Sequence, residues 1–213
     1  MSDAVTTPES RIARKERTRR AILDVTLAQA DEGSLATVSL RRVAKEAGIV
    51  PTAFYRHFAS VEEVGLALVD ESFASLRQML RDVRRGNPTL QGVIRSSVAI
   101  LVEHAHAQER HFRFIARERV SGPPVVRQAI RHGLELFERE LALDLARLPR
   151  AGSWSAEDLR IMANLIVTAM VSTAEAVIDA PPERPDVERE IVRTAEQQLR
   201  MIVVGASGWE SRE

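Results

Sequence analysis

The chain of 213 residues contains no cysteine. This absence excludes disulfide bonds, thiolate metal sites and cysteine nucleophiles. Aromatic residues make up only 4% of the chain, so strands rich in tyrosine and tryptophan are not expected. The sequence also has no glycine-rich phosphate loop, no serine nucleophile elbow and no zinc-peptidase motif. We therefore expect no catalytic residues, no cofactor and no enzymatic activity.

Targeting and membrane signals are lacking as well. Residues 1–10 are polar and carry few apolar side chains, unlike a signal peptide or an anchor. The most apolar run, Ile161–Ile178, contains Asn164, Thr168 and Glu175, which favours a buried helix over a membrane span. We expect a cytoplasmic protein that makes no membrane contact.

What the chain does contain predicts an all-α fold. Ala, Leu, Val, Arg and Glu dominate the composition, and apolar residues recur at helical spacing. No strand is predicted. The predicted helices are about nine in number and cover approximately residues 11–31, 39–47, 52–58, 60–85, 88–107, 108–120, 125–148, 155–179 and 186–204.

The net charge of zero hides an asymmetry. Between residues 11 and 60, ten Arg and Lys residues face five Asp and Glu residues, an excess of five positive charges. Lys15 and Lys45 are the only lysines, so nearly all of this charge is arginine. A basic block on an otherwise acidic chain is typical of a surface that binds phosphate groups.

The basic block contains two predicted short helices joined by a tight turn. Ser39 is a suitable N-cap for the first helix, and Gly48 ends it where a left-handed residue is required. Pro51 fits the first turn of the second helix. Phe54 and Phe58, four residues apart, are predicted to point into the core. This pattern is typical of a helix-turn-helix, whose second helix enters the major groove of DNA.

The outward-facing side chains near this turn are the candidate DNA contacts. Thr52 and Arg56 are expected to reach base edges, because arginine bonded to guanine is the most discriminating contact available. Tyr55 and His57 are expected to bond phosphates instead, which gives affinity without sequence information. The predicted DNA-binding residues are Arg17, Arg41, Thr52, Ala53, Tyr55, Arg56 and His57.

The stretch from the basic first helix through Phe58 and into Ser60-x-x-Glu63 resembles the DNA-binding domain of the TetR family of one-component bacterial regulators. Residues 51–58, 69–72 and 112–119 further resemble the branch of repressors of unsaturated fatty acid synthesis typified by FabR and DesT. The resemblance implies a homodimer that binds a palindromic double-stranded operator. We expect a disordered tail at 1–10, the helix-turn-helix domain at 11–60, and a helical effector-binding and dimerisation domain at 61–213.

The same resemblance implies that the effector is a long-chain acyl-CoA or acyl-carrier protein, with the acyl chain in an apolar tunnel. Apolar residues on the sixth to eighth helices suit either such a tunnel or plain core, and arginines beside phenylalanines suit the polar head. The predicted effector-binding residues are Phe112, Phe114, Ile115, Arg117, Arg119, Phe137 and Met170.

The last two predicted helices carry more apolar surface than a domain of this size needs, and a four-helix interface between subunits would cover it. The predicted interface residues are Leu165, Ala169, Val177, Ile191, Leu199 and Ile202. The eighth helix also has a row of polar residues that face either the tunnel or the partner subunit, and the sequence does not say which. These residues are Asn164, Thr168, Ser172 and Glu175.

Other interpretations remain open. A sensor of drugs or aromatic compounds that controls efflux or catabolism would use the same scaffold with a rounder pocket. A helical small-molecule-binding protein or enzyme with a vestigial DNA domain is a different class, and the intact Tyr55-Arg56-His57 argues against it. His104 and His106 are two residues apart and point to different faces of a helix, so no metal site is expected.

Overall fold

The computed structural model describes residues 10–84, 90–147 and 154–209. These residues form nine α-helices and one 3₁₀ turn, and among them there is no strand, so the predicted all-α class is confirmed. The elements are α1 (Arg11–Glu32), the 3₁₀ turn η1 (Leu35–Thr37), α2 (Leu40–Glu46), α3 (Pro51–Phe54), α4 (Val61–Arg84), α5 (Leu90–Ala107), α6 (Glu109–Ser121), α7 (Pro124–Leu145), α8 (Ala156–Asp179) and α9 (Pro185–Ser207).

Side-chain caps fix several of these helix ends. The Ser10 hydroxyl accepts a hydrogen bond from the Ala13 amide at 3.1 Å, so Ser10 belongs to α1 and not to a disordered tail. At the start of α4, the Ser60 hydroxyl accepts from the Glu63 amide at 3.2 Å, as the capping-box pattern predicts. The proposed tail at 1–9 and the predicted helix boundaries at 85, 88 and 148 lie outside the described residues.

The turn η1 is an element that the sequence analysis missed. The Ser34 hydroxyl accepts from the Ala36 amide at 3.3 Å, and the Thr37 hydroxyl accepts from the Ser34 amide at 3.4 Å. The Ser34 hydroxyl also accepts from the Thr37 amide, so Ser34 and Thr37 form a capping box around a single helical turn. Its largest apolar residue, Leu35, is buried.

The largest apolar core joins the helix-turn-helix to the rest of the chain. We call it the proximal core. It takes residues from α1, η1, α2, α3 and the first half of α4, and also from α6 and α7. Its buried members are Ile22, Leu23, Leu27, Ala30, Leu35, Val43, Phe54, Phe58, Val64, Leu68, Val69, Phe73, Phe114, Val126 and Ile130. The first three helices therefore share their core with α6 and α7.

Two smaller clusters fill the other end of the molecule. The first distal cluster contains buried Met79, Leu101 and Ala174 with half-buried Leu76, Ile100, Phe112, Phe137 and Met170. The second distal cluster contains buried Val98, Ala195 and Leu199 with half-buried Ile94, Val102, Ile166, Met170, Val192 and Ile202. Leu76 also packs on the proximal core, and Met170 joins the two distal clusters.

Among the described helices, α8 alone is long and apolar enough, by length and composition, to cross a membrane. It packs against α5, α6, α7 and α9 as a member of the helical bundle. Only 33% of its most apolar window is buried within the protomer. Much of the apolar surface of α8 is thus uncovered in a single chain.

Candidate DNA interface and effector cluster

The turn between α2 and α3 has the conformation that Gly48 was predicted to supply. Gly48 has a φ of 70°, the left-handed region in which only glycine is unstrained. The Ile49 amide then donates to the Ala44 carbonyl at 2.9 Å, which satisfies a carbonyl at the end of α2. Ser39 occupies the N-cap of α2, but its side chain makes no capping hydrogen bond.

The recognition segment consists of α3 and the turn that follows it. Phe54 and Phe58 are buried with their ring centroids 6.2 Å apart. This packing turns Thr52, Tyr55 and Arg56 outwards, and all three are exposed. The segment thus presents its polar side chains on the surface opposite the phenylalanines.

Two other predicted DNA-binding residues of this segment are half-buried. Ala53 lies between the exposed face and the core. The Nδ1 atom of His57 is buried and has no hydrogen-bond partner among the described residues. Burial, followed by the charges of Lys15, Arg19 and Arg56, lowers the pKa of His57, so its ring is neutral near pH 7.

The basic residues around the recognition segment fall into two groups. Arg20 bridges Asp24 at 2.7 Å and Glu71 at 2.9 Å, which ties α1 to α4. Arg42 likewise pairs with Glu46 at 2.9 Å and Glu32 at 3.0 Å. These two arginines are paired with carboxylates within the protein. The other exposed basic side chains on these two helices are those of Arg11, Arg14, Lys15, Arg17, Arg41 and Lys45.

Arg19 belongs to neither of these groups. Its guanidinium carbon lies 4.3 Å from the centroid of the Phe58 ring, a cation–π contact that connects α1 to the recognition segment. The Arg56 backbone amide donates to the Ala53 carbonyl at 3.2 Å, but its guanidinium makes no hydrogen bond or ion pair within the described part of the chain. Its exposed guanidinium is available to a partner.

The predicted effector residues divide into two sets. Phe112, Phe137 and Met170 meet in the first distal cluster, where Met79 and Leu101 join them. Met79 and Leu101 were missed because helical spacing marks them as apolar without saying which helices pack together. Phe114 and Ile115 were predicted to line the same tunnel. The structure places Phe114 elsewhere, whereas the assignment of half-buried Ile115, three residues after Phe112, stays a prediction.

Phe114 is buried in the proximal core, and Ile115 packs against that core. Residues two apart on an α-helix point in nearly opposite directions, about 200° apart. Phe112 and Phe114 therefore cannot face the same cavity. One face of α6 contacts the first distal cluster, and the other contacts the helix-turn-helix.

The two predicted head-group arginines are separated in the same way. Arg117 lies three residues after Phe114, and its Nη1 atom donates to the carbonyls of Ala30, Asp31 and Gly33 at 3.0, 2.6 and 2.8 Å. Its place is at the end of α1, so its assignment to an effector head group is wrong. Arg119 lies seven residues after Phe112 and bonds Glu175 of α8 at 2.7 Å.

The predicted dimer residues also split. Leu165 is 50% exposed, and Ala169, Ile191 and Ile202 are half-buried. Val177 and Leu199 are buried inside the protomer, so their assignment to the dimer interface is wrong. Large apolar residues that are exposed instead on α8 and α9 are Ile161, Met201 and Val204.

The polar residues of α8 lie mostly on this exposed face. Asn164, Thr168 and Ser172 are exposed, and Asn164 donates to the Glu138 carboxylate at 2.9 Å. Glu175 is the exception, because it pairs with Arg119. The first three thus share the uncovered side of α8 with Leu165.

The histidines of α5 and α6 have separate partners. His104 bonds the Ile100 carbonyl at 3.0 Å, and His106 bonds Glu188 at 2.9 Å. His111 Nδ1 lies 3.0 Å from the Ser72 hydroxyl, which itself donates to the Leu68 carbonyl. Within the described ranges, no cluster of three or more His, Asp or Glu side chains is arranged to hold a metal ion.

Two family models match the chain. Residues 22–68 match the model of bacterial regulatory proteins of the TetR family, and residues 90–205 match the tetracyclin repressor-like C-terminal domain. The protein belongs to the TetR family. TetR-family proteins are ligand-responsive transcriptional regulators that bind operator DNA and small-molecule effectors, and they are not enzymes.

Solved structures show the same fold. The fatty acid degradation regulator FadR from Bacillus halodurans is 13% identical, with a TM-score of 0.68 over 97% of this chain and 100% of that chain. FadR from Bacillus subtilis, solved in complex with stearoyl-CoA, is 16% identical, with a TM-score of 0.67 over 87% and 98%. A transcriptional regulator from a Rhodococcus species is 23% identical, with a TM-score of 0.63 over 90% and 96%.

Proposed function

We propose that this TetR-family protein is a homodimeric repressor that senses long-chain acyl-CoA or acyl-carrier protein and controls genes of fatty acid unsaturation. The observation that carries the proposal is the first distal cluster. It is built from α4, α5, α6, α7 and α8, and its central residues Phe112, Phe137 and Met170 are only half-buried. Unbranched and aromatic side chains of this kind can rearrange around a flexible apolar chain.

Two lines of support point to an acyl effector. Residues 51–58, 69–72 and 112–119 resemble the repressors of unsaturated fatty acid synthesis. Among proteins of the same fold are two fatty acid regulators, one of which was solved with stearoyl-CoA. We assign the acyl chain to the cluster around Phe112, and the polar head to the side of α6 that carries Arg119. The head group would compete with Glu175 for that guanidinium.

Chain length is the sharpest test of this assignment. Each buried methylene contributes about 0.8 kcal/mol, so calorimetric affinity should rise steeply from octanoyl-CoA to palmitoyl-CoA and then level off. Met170→Trp should flatten the rise, since Met170 joins the two distal clusters and a bulky indole there would hinder a long acyl chain from passing between them. The free variant should stay folded and dimeric.

A different ligand would give a different profile. If no acyl-CoA binds and planar aromatic drugs do, the protein is an efflux or catabolic sensor, and the acyl proposal is wrong. Mass analysis of small molecules that copurify with the protein gives an independent answer. A fatty acyl thioester in that extract would support the proposal without any choice of ligand by the experimenter.

We assign DNA binding to the exposed face of the recognition segment and the basic residues beside it. Arg56 and Thr52 read base edges, and Arg41 and Arg17 neutralise phosphates. Tyr55, His57 and the backbone of Ala53 lie close to the DNA, between the base-reading residues and the phosphate-binding residues. Selection on random duplexes should return an inverted repeat with half-sites one turn apart, roughly 34–36 Å. Enrichment of a single half-site would contradict a two-fold dimer. A protein with this activity works in the cytoplasm, where the chromosome lies.

We assign the dimer to the uncovered sides of α8 and α9. Leu165 and Ile161 on α8, and Met201 and Val204 on α9, supply its apolar part, and two exposed helices from each subunit would form a four-helix interface. The double change Leu165→Glu with Met201→Glu should give a folded monomer with weak operator binding in sedimentation and binding assays. Leu199→Glu, inside the protomer, should unfold the chain instead. A dimer that survives the double change would place the interface elsewhere.

A further inference from the structure

We propose that Arg117 and Glu118 are positioning residues that couple the effector cluster to the DNA-binding helices by fixing α6 to the end of α1. The sequence analysis assigned Arg117 to the effector, and Glu118 follows it in the same stretch. The contacts of both side chains lead away from the effector cluster. The proposal depends on the proposed function in one respect, because the ligand used as a probe is the proposed effector.

Arg117 binds the last carbonyls of α1. One guanidinium nitrogen lies 2.6–3.0 Å from three carbonyl oxygens, those of Ala30, Asp31 and Gly33. These carbonyls lie at the C-terminal end of α1, where the Ala30 carbonyl also accepts from the Gly33 amide at 3.3 Å. A cation at a helix C-terminus interacts favourably with the helix dipole. Arg113, one turn earlier on α6, places a nitrogen 3.7 Å from the Asp31 carboxylate.

Glu118 binds the next element, η1. Its side chain is completely buried, and its carboxylate accepts from the Leu35 amide at 2.9 Å and from the Ser34 hydroxyl at 3.3 Å. The pKa of Glu118 is raised on balance, because burial outweighs the lowering effect of these two bonds and of the nearby Arg117. A carboxylate in this position orients η1 directly, because it bonds the backbone itself.

Two glycines leave the space that this joint requires. A Cβ on Gly122 would lie 2.5 Å from a Glu118 carboxylate oxygen and 2.6 Å from its backbone carbonyl. A Cβ on Gly65 of α4 would lie 2.2 Å from a methyl group of Leu35. Around the polar bonds, Phe114, Val126 and Leu35 belong to one proximal core. The helix-turn-helix, α6 and the start of α7 therefore pack as one body.

The opposite face of α6 contacts the proposed effector site. Phe112 packs into the first distal cluster, and Arg119 bonds Glu175 of α8. A displacement of α6 by an effector therefore acts on α1 and η1 through Arg117 and Glu118. The unit that moves with the recognition segment is larger than the domain at 11–60, and it includes α6.

The experiment measures operator affinity with and without saturating stearoyl-CoA for the wild type, Arg117→Gln and the isosteric Glu118→Gln. Allosteric couplings typically change affinity about 5–150-fold, and we expect such a ratio for the wild type. In both variants the ratio of operator affinities with and without stearoyl-CoA should fall close to unity. Operator DNA and stearoyl-CoA should each still bind alone. Arg127→Gln is the matched control, since Arg127 also bonds a backbone carbonyl, that of Gly122 at 2.7 Å, without touching α1 or η1.

A second readout needs no effector, so it distinguishes a wrong choice of effector from a failure of the coupling proposal. Because coupling is reciprocal, operator DNA should change hydrogen exchange in α6 and the first distal cluster of the wild type and of Arg127→Gln. In Arg117→Gln and Glu118→Gln the change should stay within α1–α3. Folded variants that keep the wild-type ratio, or keep the DNA-induced change around Phe112, would overturn the proposal. If Arg117→Gln does not fold, Glu118→Gln decides.

Discussion

The proximal core and the first distal cluster are built differently. The proximal core has fifteen buried members, with exposures of 0–5%, most of them branched or aromatic. In the distal cluster only three residues are buried, and the central Phe112, Phe137 and Met170 are half-buried. Complete burial of its phenylalanines holds the recognition segment in one geometry, whereas half-buried side chains that include a methionine can rearrange. The difference suits one region to presenting DNA contacts and the other to accepting a ligand.

Polar contacts follow the same division. At the proximal end, Glu118 is completely buried and bonds the η1 backbone. At the distal end, the His106–Glu188 pair between α5 and α9 is exposed. Exposed pairs contribute little to stability, about 0–1 kcal/mol, but losing one partner of a buried carboxylate costs more. The proximal end is therefore the less tolerant of change.

The largest effect should come from a matched pair of core truncations. Phe54→Ala removes a fully buried ring from the proximal core and should cost about 3–5 kcal/mol of unfolding free energy. Phe137→Ala removes a half-buried ring from the distal cluster and should cost about 1–2 kcal/mol, because that site can collapse or take up water. Urea unfolding at one fixed protomer concentration compares the two. Equal losses would erase the contrast in packing.

The sequence predicted most of the fold because the signals are local. Helix starts at Ser60 and Ser155 follow from caps within four residues, and the turn at Gly48 follows from one backbone conformation. The face of the recognition segment was predictable for the same reason, since the spacing of Phe54 and Phe58 fixes which side is buried.

The effector and dimer residues were harder because they depend on which helices meet. Arg117 beside Phe114 has the composition of a pocket mouth, but α6 contacts different partners on its two sides. Val177 and Leu199 lie on helices that are apolar on more than one face, so periodicity does not say which face meets the partner subunit. Only the tertiary packing separates the protomer core from the exposed residues such as Leu165.

A smaller effect should separate base reading from phosphate binding. Arg56→Ala should cost roughly 1–3 kcal/mol on the preferred operator and much less on random DNA, since a bidentate base contact is lost. Arg17→Ala should weaken binding to every sequence about equally and lower the salt slope by about 1. Titrations at several salt concentrations measure both. If Arg56→Ala loses as much binding free energy on random DNA as on the preferred operator, Arg56 does not read bases.

The smallest effect concerns pH at the junction of the two regions. Burial lowers the pKa of His111, with smaller effects from Glu71, Arg20 and Asp24. The unfolded chain then binds a proton at a higher pH than the folded chain. Stability should therefore fall as the pH drops through the usual histidine value of about 6.5.

The matched variants for this effect are two histidine substitutions. His111→Gln should reduce the loss of unfolding free energy between neutral and mildly acidic pH. His132→Gln, at an exposed position on α7, should leave it unchanged. Denaturant unfolding across this pH range gives the comparison. An unchanged acid dependence in His111→Gln would assign the loss to other groups.

The most direct measurement is the affinity of the wild-type protein for its selected inverted repeat with and without saturating stearoyl-CoA. The two regions, joined through α6, should give a change in operator affinity within the range of about 5–150-fold, in one direction or the other. Planar aromatic drugs should produce no comparable change. An operator affinity that stays constant with stearoyl-CoA, or that responds only to such drugs, would contradict the account.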